Sequence, residues 1–156
     1  MAGTKALLAL DAAGIRYRVH EIPADPGEVG YAKAAAAHLG VDESQVFKTL
    51  VAMVDGNPVV AVIPASTQLS LKHIATAAGG KRAEMAKPAD AERLTGYVVG
   101  GISPIGQKKA LPTFVDETAI LHETVFVSAG RRGMDVELAP DDLLRVIDAA
   151  YAALGQ

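Results

Sequence analysis

Two apolar segments separated by a polar turn form the strongest pattern in the sequence. Residues 46–54 and 58–63 are almost entirely apolar, and Asp55-Gly56-Asn57 lies between them. Because Asp-Gly is a favoured turn between antiparallel strands, this pattern predicts a β-hairpin.

Weaker patterns predict the other elements. Apolar residues at helical spacing, bounded by Ser, Pro or Gly, predict helices over residues 4–13, 31–39, 71–78, 87–94 and 140–154. Alternating or short apolar runs predict strands over residues 16–20, 81–85, 97–99, 113–116, 124–127 and 134–138. The mixture predicts one α/β or α+β domain over residues 1–156 with a mixed sheet. Hairpins are too frequent for a doubly wound fold.

Composition excludes several kinds of chemistry. The 156 residues include no cysteine, which excludes disulfides, a thiol nucleophile and thiolate metal ligands. The four histidines are scattered, so we predict no zinc site, and we expect no cofactor. No apolar run approaches the roughly 20 residues that cross a bilayer, and no signal peptide is evident. We therefore expect a cytoplasmic protein that has no membrane partner.

Charge is unevenly distributed along the chain. The net charge of −3 argues against a non-specific binder of nucleic acid, and we expect no DNA partner. Residues 72–132 nevertheless carry nine basic and six acidic side chains. These basic side chains either converge on a face that attracts anions or lie apart on a solvated surface.

The segment Gly-Gly-Ile-Ser-Pro-Ile-Gly-Gln-Lys-Lys covers residues 100–109. Its glycines permit φ > 0 and close approach of another molecule, and Pro104 stiffens its middle. One interpretation is a rigid loop of amide donors for an oxyanion or phosphate, with Lys108 and Lys109 at its exit. The alternative is a plain turn between two strands.

Lys48 is the only charged residue in the apolar segment 46–54. Both faces of the predicted strand are largely apolar, so the side chain either extends to an edge or is held in a pocket. A lysine in a pocket is a fixed cation for a phosphate, a carboxylate or a carbonyl oxygen.

A second glycine-containing segment, Val-Ser-Ala-Gly-Arg-Arg-Gly-Met-Asp, covers residues 127–135. We predict a loop after a strand end, in which Ser128 binds a polar substrate group and Arg131 or Arg132 contacts phosphate. Asp135 either orients these arginines or Lys48, or lies in a turn. The alternative for the whole segment is a flexible hairpin turn with solvated charges.

Together, the segments at residues 46–50, 95–109 and 127–133 resemble the YbaK family of aminoacyl-tRNA editing proteins. The order and spacing match from about Leu7 to Leu154. The branch that the chain most resembles clears cysteine mischarged onto proline tRNA, Cys-tRNA(Pro). One position departs from this branch, because Ile22 and Pro23 stand where an aromatic hydroxyl is common.

The resemblance implies a mixed, partly barrel-like sheet flanked by helices, and an aminoacyl-tRNA deacylase. It implies that Lys48, Gly100 and Gly101 are catalytic. It places the substrate-binding site in the same loops, at Ser103, Pro104, Ser128, Ala129, Gly130 and Asp135. Phosphates of the tRNA would contact Lys108, Lys109, Arg131 and Arg132.

The resemblance also implies the chemistry and the partners. The substrate's own thiol would attack its ester carbonyl and leave as a thiolactone, as in a lyase; hydrolysis is the alternative. Cys-tRNA(Pro) would be the main substrate, with Cys-tRNA(Cys) a second, and prolyl-tRNA synthetase would be a partner. Two rival functions are deacylation of another mischarged tRNA, such as Ala-tRNA(Pro), and a non-catalytic module that binds tRNA or a synthetase.

Overall fold

The computed structural model describes residues 3–22 and 30–156. Within these residues it contains five α-helices, eight strands and two short 3-10 segments (Glu43–Gln45 and Glu117–Leu121). In chain order the elements are α1 (Lys5–Ala12), β1 (Arg18–Glu21), α2 (Tyr31–Leu39), β2 (Phe47–Val54), β3 (Asn57–Pro64), α3 (Leu71–Ala77), β4 (Ala83–Met85), α4 (Pro88–Thr95), β5 (Thr113–Asp116), β6 (Val125–Arg131), β7 (Met134–Leu138), α5 (Pro140–Ile147) and β8 (Ala150–Ala152).

The strands form two sheets. The smaller sheet has the order β1-β7-β6 and is antiparallel throughout. The larger has the order β4-β2-β3-β5-β8, in which β4, β2 and β3 are antiparallel and β5 and β8 are added in parallel. The predicted mixed α/β architecture is confirmed, although the strands in the described part of the chain do not close a barrel.

The main core lies between the two sheets. Its fully buried residues come from α1, α5 and both sheets, and include Leu10, Val60, Val115, Val136 and Leu143. Because these apolar side chains leave water on folding, each contributes on the order of 1.5–3 kcal/mol. A second core packs α3 against the other face of the larger sheet.

The predicted hairpin is confirmed. β2 pairs with β3 along its whole length, from Phe47 opposite Pro64 to Val54 opposite Asn57. The turn residues Asp55 and Gly56 both have positive φ, at 50° and 83°. This is the turn geometry that matches the twist of the flanking strands and favours Asp-Gly.

Two predicted elements are wrong. Residues 97–99 do not form a strand, because the Val99 N–H donates to the Glu92 carboxylate (2.8 Å) and Val98 begins a tight turn. The predicted last helix ends at Ile147 instead of Leu154. Asp148 turns the chain with φ of 51°, and the following residues add β8 to the free edge of β5.

No helix in residues 3–22 and 30–156 has the length and apolar character needed to cross a membrane.

Candidate functional site

A cleft lies where the two sheets separate. Val46, directly before β2, is bridged to Phe126 of β6, and on the same edge β2 pairs with β4 only from Ala52 onwards. Between these two points the edge of β2 that faces away from β3 has no strand partner among the described residues, and this part of β2 lines an opening of about 370 Å³. The N-terminal end of α2, the chain around Gly100 and the β6–β7 hairpin form the other walls.

Lys48 lines this cleft, in agreement with the alternative that its side chain is held in a pocket. Partial burial lowers the pKa of its ammonium group, and the nearby positive charge of Lys33 lowers that pKa further. No carboxylate in the described ranges lies within salt-bridge distance of Lys48. The cleft therefore contains a cation held among apolar walls, a suitable partner for a developing negative charge.

Gly100 and Gly101 are required by close packing. Gly100 has φ of 89°, and a Cβ there would lie 2.6 Å from the ring of Tyr31. A Cβ on Gly101 would lie 2.7 Å from the backbone between Arg131 and Arg132. The two glycines thus let the loop press against α2 and against the β6–β7 hairpin.

Only part of the loop reaches the cleft. Gly100 and Ile102 line it, whereas the Gly101 N–H donates to the Val98 carbonyl (2.8 Å). The N–H groups of Gly100 and Ile102 have no acceptor among the described residues. Because both residues also line the cleft, we take their amides as the donors available to a ligand.

Ser103 and Pro104 are buried and do not line the cleft, although we predicted that they bind substrate. The Ser103 hydroxyl accepts from the Ile105 N–H (3.1 Å), and its carbonyl accepts from the Gln107 amide (2.9 Å). The Tyr97 hydroxyl donates to the Ile105 carbonyl at 2.6 Å. These contacts stiffen the turn behind the cleft instead of forming its wall.

The second glycine-containing segment is mostly strand. β6 continues to Arg131, with a register shift between Ser128 and Arg131, so the predicted loop after residue 127 is wrong. Ser128 lies opposite Asp135 in the pairing, and both line the cleft. Ala129 is fully buried and Gly130 packs against the Tyr97 ring, so neither reaches the cleft.

Asp135 is the acidic group of the cleft. Burial raises the pKa of its carboxyl to about 6, an increase that the charge of His20 partly offsets. His20 itself is hydrogen-bonded to Glu137 at 2.9 Å. The cleft thus presents a cation from β2 and a titrating carboxyl group from β7.

None of the four predicted phosphate-binding residues lines the cleft. Lys108 and Lys109 are exposed and lie outside the cleft wall. Arg131 forms an exposed ion pair with Glu21 (3.3 Å). Arg132 contacts the wall of the cleft, because its Nε donates to the carbonyl of Val99, a cleft residue (2.8 Å).

Three cleft residues with polar side chains were not predicted from the sequence. Lys33 and Tyr31 come from α2, and the Tyr31 ring centroid lies 5.8 Å from the Arg132 guanidinium carbon. Thr49 follows Lys48, and its hydroxyl is buried with no hydrogen-bond partner in the described part of the chain. Only for Thr49 was there a sequence signal, which is a polar residue next to the lysine in an apolar strand.

We compared the sequence and the fold of this chain with those of known proteins. The sequence model of the aminoacyl-tRNA editing domain matches residues 27–146. EbsC of Enterococcus faecalis, named as a candidate Cys-tRNA(Pro)/Cys-tRNA(Cys) deacylase, is 45% identical over 126 residues, which are 79% of this chain and 76% of EbsC.

Two further proteins support the same family. ProXp-y of Escherichia coli K12, named a multifunctional Ser/Thr-tRNA deacylase, is 32% identical over 90% of this chain and 84% of its own. A crystal structure described as a candidate trans-editing enzyme for prolyl-tRNA synthetase superposes with a TM-score of 0.87 at 26% identity, covering 100% of this chain and 99% of that one. The chain belongs to the aminoacyl-tRNA editing domain family.

Proposed function

We propose that this protein is an aminoacyl-tRNA deacylase whose main substrate is Cys-tRNA(Pro). The observation that carries the proposal is the partly buried ammonium of Lys48, which lines the same small cleft as Gly100 and Asp135. The similarity to EbsC supports cysteine as the amino acid.

In this proposal, Lys48 and the loop amides act on the ester carbonyl. Cleavage of the ester places negative charge on the carbonyl oxygen, and a cation or amide donor aimed at that oxygen lowers the barrier. Lys48 supplies the cation from one wall, and the N–H groups of Gly100 and Ile102 supply donors from the other.

The nucleophile in the proposal is the cysteine thiol of the substrate. Its sulfur forms a bond to the ester carbonyl carbon while the bond from that carbon to the ribose oxygen breaks. The thiol proton passes to the ribose oxygen, so the products are a cysteine thiolactone and uncharged tRNA. Holding the thiol and the carbonyl together in the cleft supplies part of the rate enhancement by proximity.

Asp135 is the partner that we propose for the α-ammonium of the aminoacyl group. A buried carboxylate gains most from such a contact, because the contact compensates the cost of its burial. Ser128, which lies opposite Asp135, would assist with its hydroxyl.

We expect the deacylation rate to fall as the pH drops through about 6, because Asp135 then becomes protonated. Asp135→Asn should give a lower rate at pH 7.5, by about tenfold, and a flat profile between pH 5 and 7.5. Measurement of kcat/KM for Cys-tRNA(Pro) against pH tests both effects. A profile that is unchanged in Asp135→Asn would contradict this role.

Stability provides an independent check on the same carboxyl group. The pKa of Asp135 is higher in the folded state than in the unfolded state, so the folded state binds the proton more tightly. The folded state therefore loses stability as the pH rises from about 4 to about 6. Asp135→Asn should remove this loss, and at pH 7 it should stabilise the fold by on the order of 1–3 kcal/mol. Urea unfolding at pH 4 and pH 7 measures the difference.

A panel of mischarged tRNAs tests the proposed activity. We expect Cys-tRNA(Pro) to be deacylated at least about tenfold faster than Ser-tRNA(Pro), because serine lacks the thiol and aligned intramolecular attack is lost. Cys-tRNA(Cys), Ala-tRNA(Pro) and Thr-tRNA complete the panel. Equal rates for Cys- and Ser-tRNA(Pro) would point to water as the nucleophile, and a preference for alanine would point to the rival deacylase.

The same panel tests the proposed partner. The net negative charge gives the protein little general attraction for RNA, so we propose that prolyl-tRNA synthetase supplies selection of the tRNA. Each reaction is therefore run with and without that synthetase. An unchanged rate would count against the partnership, and binding of tRNA with no turnover of any substrate would favour the non-catalytic module.

A further inference from the structure

Thr49 has a feature that the fold itself does not explain. Its hydroxyl is the only buried side-chain oxygen or nitrogen atom without a hydrogen-bond partner in residues 3–22 and 30–156. A buried hydroxyl that gives up its bonds to water without replacing them destabilises a protein. Thr49 also lines the cleft beside Lys48, so a bound molecule can supply the missing partner.

The backbone of Thr49 faces the same opening. Two residues along the strand, the Val51 carbonyl accepts from the Ala86 N–H on the β4 side (3.0 Å). In an antiparallel strand, residues two apart direct their backbone groups to the same side. The regular pairing with β4 starts only at Ala52, so at Thr49 this side of β2 is open.

Most of the residues that line the cleft are apolar. Phe47 and Val51 share the face of β2 with Thr49, and Ala86, Ala91 and Ile102 also line the cleft. A buried hydroxyl among such residues favours a small ligand group that can form one hydrogen bond. Short side chains with a thiol or a hydroxyl have this property, and the methyl side chain of alanine does not.

We propose that Thr49 is a specificity-determining residue whose hydroxyl hydrogen-bonds the side-chain thiol or hydroxyl of the aminoacyl group. The inference rests on the proposed function and deepens it, because it assigns the part of the cleft that binds the side chain of the amino acid. A site with a buried hydrogen-bonding group discriminates against a substrate that leaves this group unpaired. The cleft should therefore prefer cysteinyl and seryl groups to alanyl groups.

The test uses stable analogues in which an amide replaces the ester: cysteinyl, seryl and alanyl amides of 3′-amino-3′-deoxyadenosine. Binding of each is measured by calorimetry to the wild type, Thr49→Val and Thr49→Ser. Valine has nearly the shape of threonine without the hydroxyl, whereas serine retains the hydroxyl. We expect Thr49→Val to weaken the seryl amide by about tenfold and the cysteinyl amide several-fold, with less than a twofold change for the alanyl amide. Thr49→Ser should retain the preference.

Thermal unfolding distinguishes a binding role from a structural role. Removal of an unpaired buried hydroxyl should leave the Tm of Thr49→Val unchanged or raise it. A Tm lowered by several degrees, an equal loss for all three amides, or no loss at all would each overturn the inference.

Deacylation of Cys-tRNA(Pro) by the wild type is measured in parallel. Discrimination between the amides that depends on Thr49, without turnover of any aminoacyl-tRNA, would reject the proposed activity and retain the role of Thr49. Turnover that is unaffected by Thr49→Val, together with unchanged binding, would retain the activity and reject the role of Thr49.

Discussion

Replacement of Lys48 by methionine should lower kcat/KM for Cys-tRNA(Pro) by about 100- to 1000-fold. Methionine keeps much of the apolar stem of lysine but removes the charge from the cleft. The loss should appear mainly in kcat, because the carbonyl oxygen carries its full negative charge only while the ester is being cleaved. Single-turnover deacylation with enzyme in excess measures this step directly.

The fold should survive this substitution. Lys48 forms no ion pair within the described ranges, and its burial already disfavours the charged form. The Tm of Lys48→Met should therefore equal or exceed that of the wild type. Lys72→Met, at an exposed position on α3 outside the cleft, is the matched control and should retain full activity. Full activity in Lys48→Met would remove the basis of the proposed site.

The hairpin that holds Lys48 could be predicted because its signals are local. Apolar content, strand length and an Asp-Gly turn all act within about 20 residues of one another. The same holds for α2, whose end at Gly40 is set by a left-handed C-cap with φ of 70°. These elements have nearly the predicted bounds, since no distant contact competes with them.

The two wrong elements arise from hydrogen bonds that the spacing of apolar residues does not reveal. Residues 97–99 are apolar enough for a strand, but the carboxylate of Glu92, seven positions earlier, accepts from the Val99 N–H. The last helix ends early because Leu154 is fully buried and its N–H donates to Asp116, 38 positions earlier (3.0 Å). Only the second of these contacts joins distant parts of the chain.

The composition of the cleft was only partly predictable for a similar reason. A glycine-rich segment indicates close approach of something, but not which atoms approach. In this protein the approaching groups are Tyr31 and the β6–β7 hairpin, and Ser103 is used inside the turn. Some residues of the glycine-rich segment, such as Gly100, therefore line the cleft, whereas others, such as Ser103, hold the turn behind it.

Substitution of Gly101 by alanine should lower the activity by displacing the loop that carries Gly100 and Ile102. The new Cβ would lie 2.7–2.8 Å from three backbone atoms of Arg131 and Arg132. A backbone cannot move aside as a flexible side chain can, so the loop must shift away from the β6–β7 hairpin. We expect a loss of about 1–3 kcal/mol in the free energy of unfolding and about a 100-fold lower rate of deacylation.

Gly101 does not have a positive φ, so an alanine at this position introduces no backbone strain of that kind. Any loss in Gly101→Ala is therefore a test of the steric overlap. Gly3→Ala is the matched control, because its Cβ would make only ordinary contacts of 3.5 Å or more. This variant should keep both the Tm and the rate. If Gly101→Ala loses the rate while the amides of 3′-amino-3′-deoxyadenosine still bind normally, the loop acts on the reacting carbonyl and not on initial binding. Wild-type stability and rate in Gly101→Ala would show that the loop is not packed against the hairpin in the active protein.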